Sequence, residues 1–228
     1  MSAITWDAAA DRKYEVGVDH GVIYPQNNNG TYGKGVAWNG LVSINEAPSG
    51  AEPTKLYADN IQYLNMYSAE EFGLTLEAYT WPEEFDECNG SAVIALGALA
   101  QQQARKSFGL CYRTKIGNSI VGDAYGYKLH LVYGCKASPS EATYETVNDS
   151  PDAITFSWEL TTTPVSFSDD FKATAHIVID STKADSTKLK ALEALLYGTD
   201  PAEGQSTGGT DAQLPSIATV ISTLGLAS

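Results

Sequence analysis

The carboxylates of one short acidic run are the residues best suited to chemistry. The run Glu83-Glu-Phe-Asp-Glu87 follows Glu77 closely in the sequence, and Glu159 is a further glutamate in a strand-like segment. Two carboxylates at a suitable separation can hydrolyse glycosidic bonds, one as the acid and the other as the base or nucleophile. Adjacent charges on a loop or helical turn are more often a solvated surface, so the run alone is a weak indication of catalysis.

The three histidines, His20, His130 and His176, form no recognisable metal-binding motif. HxxxH, HExxH and CxxC spacings are all missing from the sequence. His130 and His176 lie in strand-like segments, where a hydrogen-bonded or solvent-facing imidazole is commoner than a metal ligand. The glycine-rich segment 30–35 lacks the spacing of a phosphate-binding loop. We therefore predict no catalytic residue, no metal and no cofactor.

The cysteines, Cys88, Cys111 and Cys135, are odd in number and lack CxxC spacing. Free cysteines behave as small buried apolar residues, which suits synthesis in a reducing cytoplasm. The first residues show no secretory signal, and no stretch approaches the roughly 18 apolar residues of a membrane span. We therefore expect synthesis in a cytoplasm and no membrane insertion.

The elements that would position these groups are mainly strands. Segments 107–114, 127–133 and 155–161 alternate apolar and polar residues with the period of two that indicates half-buried strands. Turn-forming residues connect them, which predicts an antiparallel sheet. Seven apolar residues are expected in the core: Leu74, Leu76, Phe156, Trp158, Leu160, Leu189 and Leu192.

The sequence predicts one large domain with an arm at each end. Residues 1–12 are the predicted N-terminal arm, and residues 13–198 are the domain. A leucine stripe over 186–197 predicts one helix. Residues 91–103 fit a helix by propensity or an extended loop. Residues 199–228 are predicted to be a flexible linker and C-terminal arm, whose amphipathic end can dock on this core or on a neighbouring subunit.

The charge of the chain bears on its partners. It carries 28 acidic and 14 basic residues, a net charge of −14. A protein that binds nucleic acid through the phosphates needs a basic footprint. The longest basic clusters, Arg12-Lys13 and Arg105-Lys106, are too short for such a groove. An acidic surface serves solubility, or it prevents nucleic acid from being held.

Three stretches of the sequence resemble one known family. They are Ala104-Arg-Lys-Ser-Phe-Gly-Leu-Cys-Tyr-Arg-Thr114, Tyr125-Gly-Tyr-Lys-Leu-His-Leu-Val-Tyr-Gly134 and Asn148-Asp-Ser-Pro-Asp-Ala-Ile-Thr-Phe-Ser-Trp-Glu159. They are similar to the major tail proteins, or tail tube proteins, of bacteriophages with long, non-contractile tails. The similarity extends from about residue 13 to residue 197, whereas the C-terminal end departs from the family pattern.

The resemblance implies a fold, an assembly and a set of partners. The fold is mainly β (α+β), with two packed antiparallel sheets forming a sandwich or barrel, one flanking helix, and extended arms and loops. Subunits are expected to form hexameric rings that stack into the tail tube of a virion. The tube is expected to assemble in the cytoplasm of the bacterial host. The partners are further copies of the chain, a tape-measure protein, a tail terminator and baseplate or distal tail proteins. DNA is expected to pass through the tube without specific binding.

The tail tube interpretation also predicts which residues face the lumen and which make contacts between subunits. Glu77 and Glu159, on the polar faces of their strands, are the candidates for lumen-facing acidic residues. Arms and breaker-rich loops are suitable material for joining rings. The candidate contact residues are Trp6, Tyr24, Pro25, Asn28, Tyr32, Pro48, Pro53, Ile217, Val220 and Ile221.

Two other classes of function stay open at this point. A carbohydrate-binding β-sandwich that decorates a virion would use exposed aromatic residues, and a glycoside hydrolase would use the carboxylates of Glu83–Glu87. Within the tail interpretation, contractile tails and related injection machines use tubes of a similar fold.

Overall fold

The computed structural model describes residues 4, 6–7, 9–147, 152–168, 170–201 and 208–225. The fold is mainly β and antiparallel, as predicted. The strands are β1 (Lys13–Pro25), β2 (Val36–Trp38), β3 (Leu41–Glu46), β4 (Ser49–Gly50), β5 (Pro53–Ala58), β6 (Ile61–Tyr67), β7 (Glu70–Glu71), β8 (Gly73–Ala78), β9 (Ala92–Ala95), β10 (Ala98–Ala100), β11 (Phe108–Asn118), β12 (Gly122–Ala137), β13 (Phe156–Thr161) and β14 (His176–Asp180). The helices are α1 (Ser186–Tyr197) and α2 (Ile217–Leu224), with short 3-10 turns at Ala9–Asp11 and Glu83–Phe85.

Eight of the strands form one sheet that folds over on itself. The order is β2-β1-β11-β12-β13-β8-β3, and β14 also pairs with β12. Strand β12 belongs to both halves, because residues 128–132 pair with β14 and Lys136 and Ala137 pair with β13. Between these stretches Gly134 has φ 61°, and a Cβ there would lie 2.6 Å from the carbonyl oxygen of Thr163. A glycine is therefore required where β12 bends.

The main core lies between the two halves of the sheet. Leu74 and Leu76 of β8 and Leu160 of β13 point into it, and each is 1% exposed or less. Trp38 packs against Phe85 with ring centroids 4.6 Å apart. These contacts cover the inner faces of both halves, so the two sheets predicted from the resemblance are two parts of one continuous sheet.

A second core lies between the other face of the sheet and the two helices. Leu192 and Leu196 of α1 are fully buried against the β11 and β12 side chains. Asp185 caps α1 by accepting hydrogen bonds from the backbone amides of Thr187 and Lys188, each 3.0 Å long. The observed helix spans the predicted residues 186–197.

The C-terminal segment differs from its prediction as a flexible arm. Ile217 and Val220 of α2 are 2% and 1% exposed, because they pack into the second core beside α1. Ser216 caps this second helix through its hydroxyl, which accepts from the amide of Thr219. The described part of the chain therefore has two flanking helices rather than the one predicted, and the amphipathic segment packs on its own domain.

Other predictions have mixed outcomes. Six of the seven predicted core residues are buried, whereas Phe156 is half-buried. Residues 91–103 are neither a helix nor a plain loop, because β9 and β10 pair there as a hairpin. Neither helix in the described part of the chain has the length and apolar run that a membrane crossing requires. Predicted arm residues 1–3, 5, 8, 202–207 and 226–228 lie outside the described residues, as do residues 148–151 of the third family-like stretch.

Docking of α2 on the second core can be tested with Ile217→Ala. We expect the free energy of unfolding to fall by about 2–5 kcal/mol, because the change opens a cavity in a closed core. Ile120→Ala is the matched control, since Ile120 is 64% exposed and should change stability by about 0.5 kcal/mol or less. Urea unfolding measures both. Equal small effects would show that the C-terminal segment does not stabilise the domain.

Candidate functional site

A long, exposed hairpin extends from the β3–β8 pair. The chain leaves β3, runs through β4 and β5, turns at Asp59 and Asn60, and returns through β6 and β7 to β8. The pairings β4–β7 and β5–β6 continue the β3–β8 ladder outward. Asp59 and Asn60 have φ of 50° and 62°, which is the geometry of a tight two-residue hairpin turn. We call residues Pro53–Tyr67 the arm hairpin.

The arm hairpin exposes a dense set of apolar side chains on both of its faces. Leu56 and Leu64 form a cross-strand pair and are 43% and 46% exposed. Every residue of β5 is exposed, and Asn65 alone is half-buried in β6. The large exposed apolar residues of the arm hairpin are Leu56, Tyr57, Ile61, Tyr63, Leu64, Met66 and Tyr67. A two-stranded ribbon of this kind is marginal in water, and a contiguous apolar surface marks a contact site.

A second exposed hairpin carries apolar residues at its tip. Val93, Ile94 and Leu96 on β9 and the following turn are at least 71% exposed. Gly97, with φ 75°, closes this turn. The tip adds a second surface suited to contacts with another protein.

The predicted contact residues fall into three groups. Trp6, Asn28, Pro48 and Pro53 are exposed. Pro25, Tyr32 and Ile221 are half-buried. Tyr24, Ile217 and Val220 are buried, and their assignment to subunit contacts is wrong.

The reason for this correction is internal packing. Tyr24 is fully buried, and its hydroxyl donates a 2.7 Å hydrogen bond to the carbonyl oxygen of Leu196. Ile217 and Val220 lie under α1 in the second core. The sequence shows that these residues are apolar but not which surface they cover.

The predicted acidic residues Glu77 and Glu159 share one face of the sheet. In the β8–β13 ladder Glu77 pairs with Ser157 and Glu159 pairs with Thr75. Diagonal neighbours in such a ladder lie about 7–8 Å apart. Their neighbours in β8 and β13 that point into the core are Leu74, Leu76, Trp158 and Leu160, so both glutamates lie on the outer face. That face is polar along both strands.

The acidic run is built into local structure. Asp86 accepts a 2.9 Å hydrogen bond from the indole nitrogen of Trp81, and Glu87 pairs with Lys106. Phe85, in the middle of the run, is fully buried. Phe85, Asp86 and Glu87 therefore anchor a 3-10 turn to the domain, whereas Glu83 and Glu84 are exposed.

The cysteines are buried, as predicted. Cys88, Cys111 and Cys135 are all free and fully covered. Burial raises the pKa of the Cys88 and Cys111 thiols to about 12. At neutral pH these thiols are protonated and poorly nucleophilic.

A polar cluster absent from the sequence prediction lies between the halves of the sheet. His130 Nδ1 is 3.1 Å from His176 Nε2 and 3.2 Å from Glu46 Oε1, and the second histidine is 4.0 Å from that oxygen. Strand β3 supplies the glutamate, and β12 and β14 supply the histidines. We call these three residues the EHH cluster.

Aromatic rings and hydroxyls hold the EHH cluster in place. The ring of Tyr112 stacks on His130 with centroids 4.5 Å apart, and Phe72 stacks on His176 at 4.3 Å. The Tyr112 hydroxyl donates a 2.7 Å hydrogen bond to Glu46. The Thr114 hydroxyl lies 3.1 Å from His130 Nε2. The side chains on three strands are therefore fixed on the inner face of the sheet.

Burial keeps the two imidazoles neutral. Desolvation lowers the pKa of His130 to about 4, against the opposing attraction of Glu46. The pKa of His176 is lowered for the same reason. The negative charge of Glu15 raises the pKa of His130, and the positive charge of Lys128 lowers it.

Strand register explains why sequence spacing missed the EHH cluster. His130 pairs with Val178, and His176 pairs with Val132, so the histidines are diagonal neighbours on one face. Glu46 comes from the other half of the folded sheet. The sequence held one signal of this cluster. Both histidines lie in segments with strand-like alternation, and pairing of those two strands places them on the same face.

Acid should destabilise the fold through the EHH cluster. Because the folded-state pKa of His130 lies near 4 and the unfolded value near 6.5, the stability is complete above pH 6.5 and falls as the pH drops from about 6.5 to 4. Between pH 7 and 5.5 we expect a loss of about 1 kcal/mol from His130 alone. Urea unfolding in metal-free buffer at both pH values measures this loss.

The variant His130→Gln should remove the part of this pH dependence that comes from His130, and the part from His176 should remain. His20→Gln is the matched control, since His20 is exposed and contacts Asp19 and Arg113 rather than the EHH cluster. If His130→Gln and the control lost stability equally on acidification, the EHH cluster would not be the acid-sensitive group.

Comparison with known proteins gives no family assignment: neither a family model nor a curated protein matches this sequence. The features that bear on function are therefore those of this chain itself. They are the arm hairpin, the polar outer face with Glu77 and Glu159, and the EHH cluster.

Proposed function

We propose that this protein is a structural subunit that self-assembles into rings, which stack to form the tail tube of a long-tailed bacteriophage. The proposal draws on the resemblance of segments 104–114, 125–134 and 148–159 to tail tube proteins. One structural observation carries it. The arm hairpin, Pro53–Tyr67, projects from the sheet edge with its large apolar side chains uncovered.

The energetics of the arm hairpin favour an assembled state. Seven large apolar side chains are exposed there. Full burial of such a side chain contributes about 1.5–3 kcal/mol, so covering all seven is worth on the order of 10 kcal/mol. Association costs several kcal/mol in lost freedom of motion. The strands of the arm hairpin are six and seven residues long, so the arm hairpin reaches about 20 Å at about 3.3 Å per residue. A projection of this length can bury its apolar side chains on the subunit of the next ring.

Rings and stacks follow from the symmetry of such contacts. An arm on one subunit that binds a different surface on the next makes a heterologous contact, which closes into a ring or continues as a filament. Strand β14 pairs with β12 alone among the described strands, so one sheet edge is free to pair with a neighbouring subunit. In the tail tube family this arrangement forms a continuous barrel, and we expect six subunits per ring.

The outer face with Glu77 and Glu159 suits the lining of a channel for DNA. It is polar, and the chain carries a net charge of −14. Like charge repels phosphates, and the lining therefore does not retain passing DNA. The tape-measure protein, tail terminator and distal tail proteins are the further partners that this role requires, and the virion is the location.

A second candidate function rests on the tyrosines of the arm hairpin. Tyr57, Tyr63 and Tyr67 are each at least 67% exposed, and exposed aromatic rings also stack on sugars. A carbohydrate-binding decoration module would hold glycans without forming rings.

A contractile tail or related injection machine would instead add a sheath around the same tube.

Removal of apolar side chains from the arm hairpin tests assembly. We expect the double variant Tyr63→Ser, Leu64→Ser to abolish tubes, because these side chains are 73% and 46% exposed and would lie at the contact. Tyr144→Ser is the matched control, since Tyr144 is 74% exposed outside both hairpins. Electron microscopy and analytical ultracentrifugation of each purified protein measure the outcome.

Circular dichroism should show the same fold in all three proteins. The control should assemble like the unchanged protein. A protein that stays monomeric at high concentration, or tubes that persist in the double variant, would contradict the proposal. Retention on a glycan array by a monomer would favour the carbohydrate-binding alternative.

A further inference from the structure

We propose that the EHH cluster, Glu46, His130 and His176, is a binding site for one Zn²⁺ ion that joins the two halves of the folded sheet. This inference is independent of the proposed tube function. It rests on three side chains that bring two imidazole nitrogens and one carboxylate oxygen together from three strands.

The separations of the three ligand atoms fit a tetrahedral metal. Zinc binds nitrogen and oxygen ligands at about 2.0–2.2 Å, which places two ligand atoms about 3.3–3.5 Å apart. The observed separations are 3.1 Å between the imidazole nitrogens and 3.2 Å and 4.0 Å from these to Glu46 Oε1. The longest distance involves the least buried of the three side chains, because the Glu46 side chain is 38% exposed. A small rotation of that side chain completes the triangle.

The surroundings prepare the ligands. Metal-bound histidines usually donate the outer N–H to an oxygen, which directs the other nitrogen to the metal. The Thr114 hydroxyl lies 3.1 Å from His130 Nε2 and can accept this hydrogen bond. The Tyr112 hydroxyl donates to Glu46 and orients the carboxylate.

Proton balance also permits metal binding. A neutral imidazole carries one N–H, which either of its ring nitrogens can hold. The facing nitrogens, 3.1 Å apart, are both free of protons when His130 is protonated on Nε2, toward Thr114, and His176 is protonated on Nδ1. Both imidazoles then present a lone pair without any net release of protons.

The donor set selects the class of metal. Two imidazoles and one carboxylate suit Zn²⁺ and its neighbours in the transition series, whereas Ca²⁺ and Mg²⁺ prefer oxygen ligands throughout. The exposed side of Glu46 leaves the fourth position to water. The chemical consequence is a cross-link between β3 and the β12–β14 pair, at the rim of the main core.

Zinc titration of the full chain, stripped of metal with a chelator, tests the site. Equilibrium dialysis with elemental analysis should give one Zn²⁺ per chain, and the melting temperature should rise with added Zn²⁺. Cobalt substitution should produce the strong visible absorption of a tetrahedral site. Glu46→Gln and His176→Gln should each weaken binding by at least about tenfold, whereas His20→Gln should bind as the unchanged protein does.

Each outcome decides the question. Stoichiometric binding that is lost in Glu46→Gln and kept in His20→Gln supports the site. No binding by the unchanged chain, or equal binding by all variants, overturns it. If His176→Gln failed to fold, the cobalt spectrum and Glu46→Gln, whose residue lies at the exposed rim, would still give the answer.

Discussion

The fold depends on one constraint: β12 must serve two halves of the same sheet. Its bend at Gly134, where no side chain fits beside Thr163, carries the chain from the β11–β14 side to β13. The main core is the result, since the inner faces of the two halves can then bury each other. The bend also brings Glu46 of β3 over the histidines of β12 and β14, so the EHH cluster follows from the same geometry.

The same folding leaves a strand pair whose continuation has no cover. Strand β3 is the last strand of the sheet, and the β3–β8 ladder continues outward as the arm hairpin. The domain already has two closed cores, one between the sheet halves and one under the helices. The apolar residues of the arm hairpin belong to neither core, so they are not needed to stabilise the single chain. A protein that carries a projecting hairpin with uncovered apolar side chains is suited to assembly.

Local patterns allowed much of this fold to be predicted from sequence. Alternation revealed β13, and the leucine stripe with its cap located α1 to the residue. The burial of α2 could not be predicted, because an amphipathic helix fits its own core and a neighbour equally well. The EHH cluster required the strand register, which depends on tertiary pairing. The exposure of the arm hairpin also depends on tertiary structure, because its strands pair with each other and no other described element covers them.

A cryo-electron microscopy reconstruction of the assembled protein would show whether the arm hairpin joins subunits in a tube, as we propose. We expect stacked rings with Pro53–Tyr67 buried against the neighbouring ring and with Glu77 and Glu159 facing the lumen. A reconstruction in which the arm hairpin stays exposed, or a sample that contains monomers alone, would contradict it.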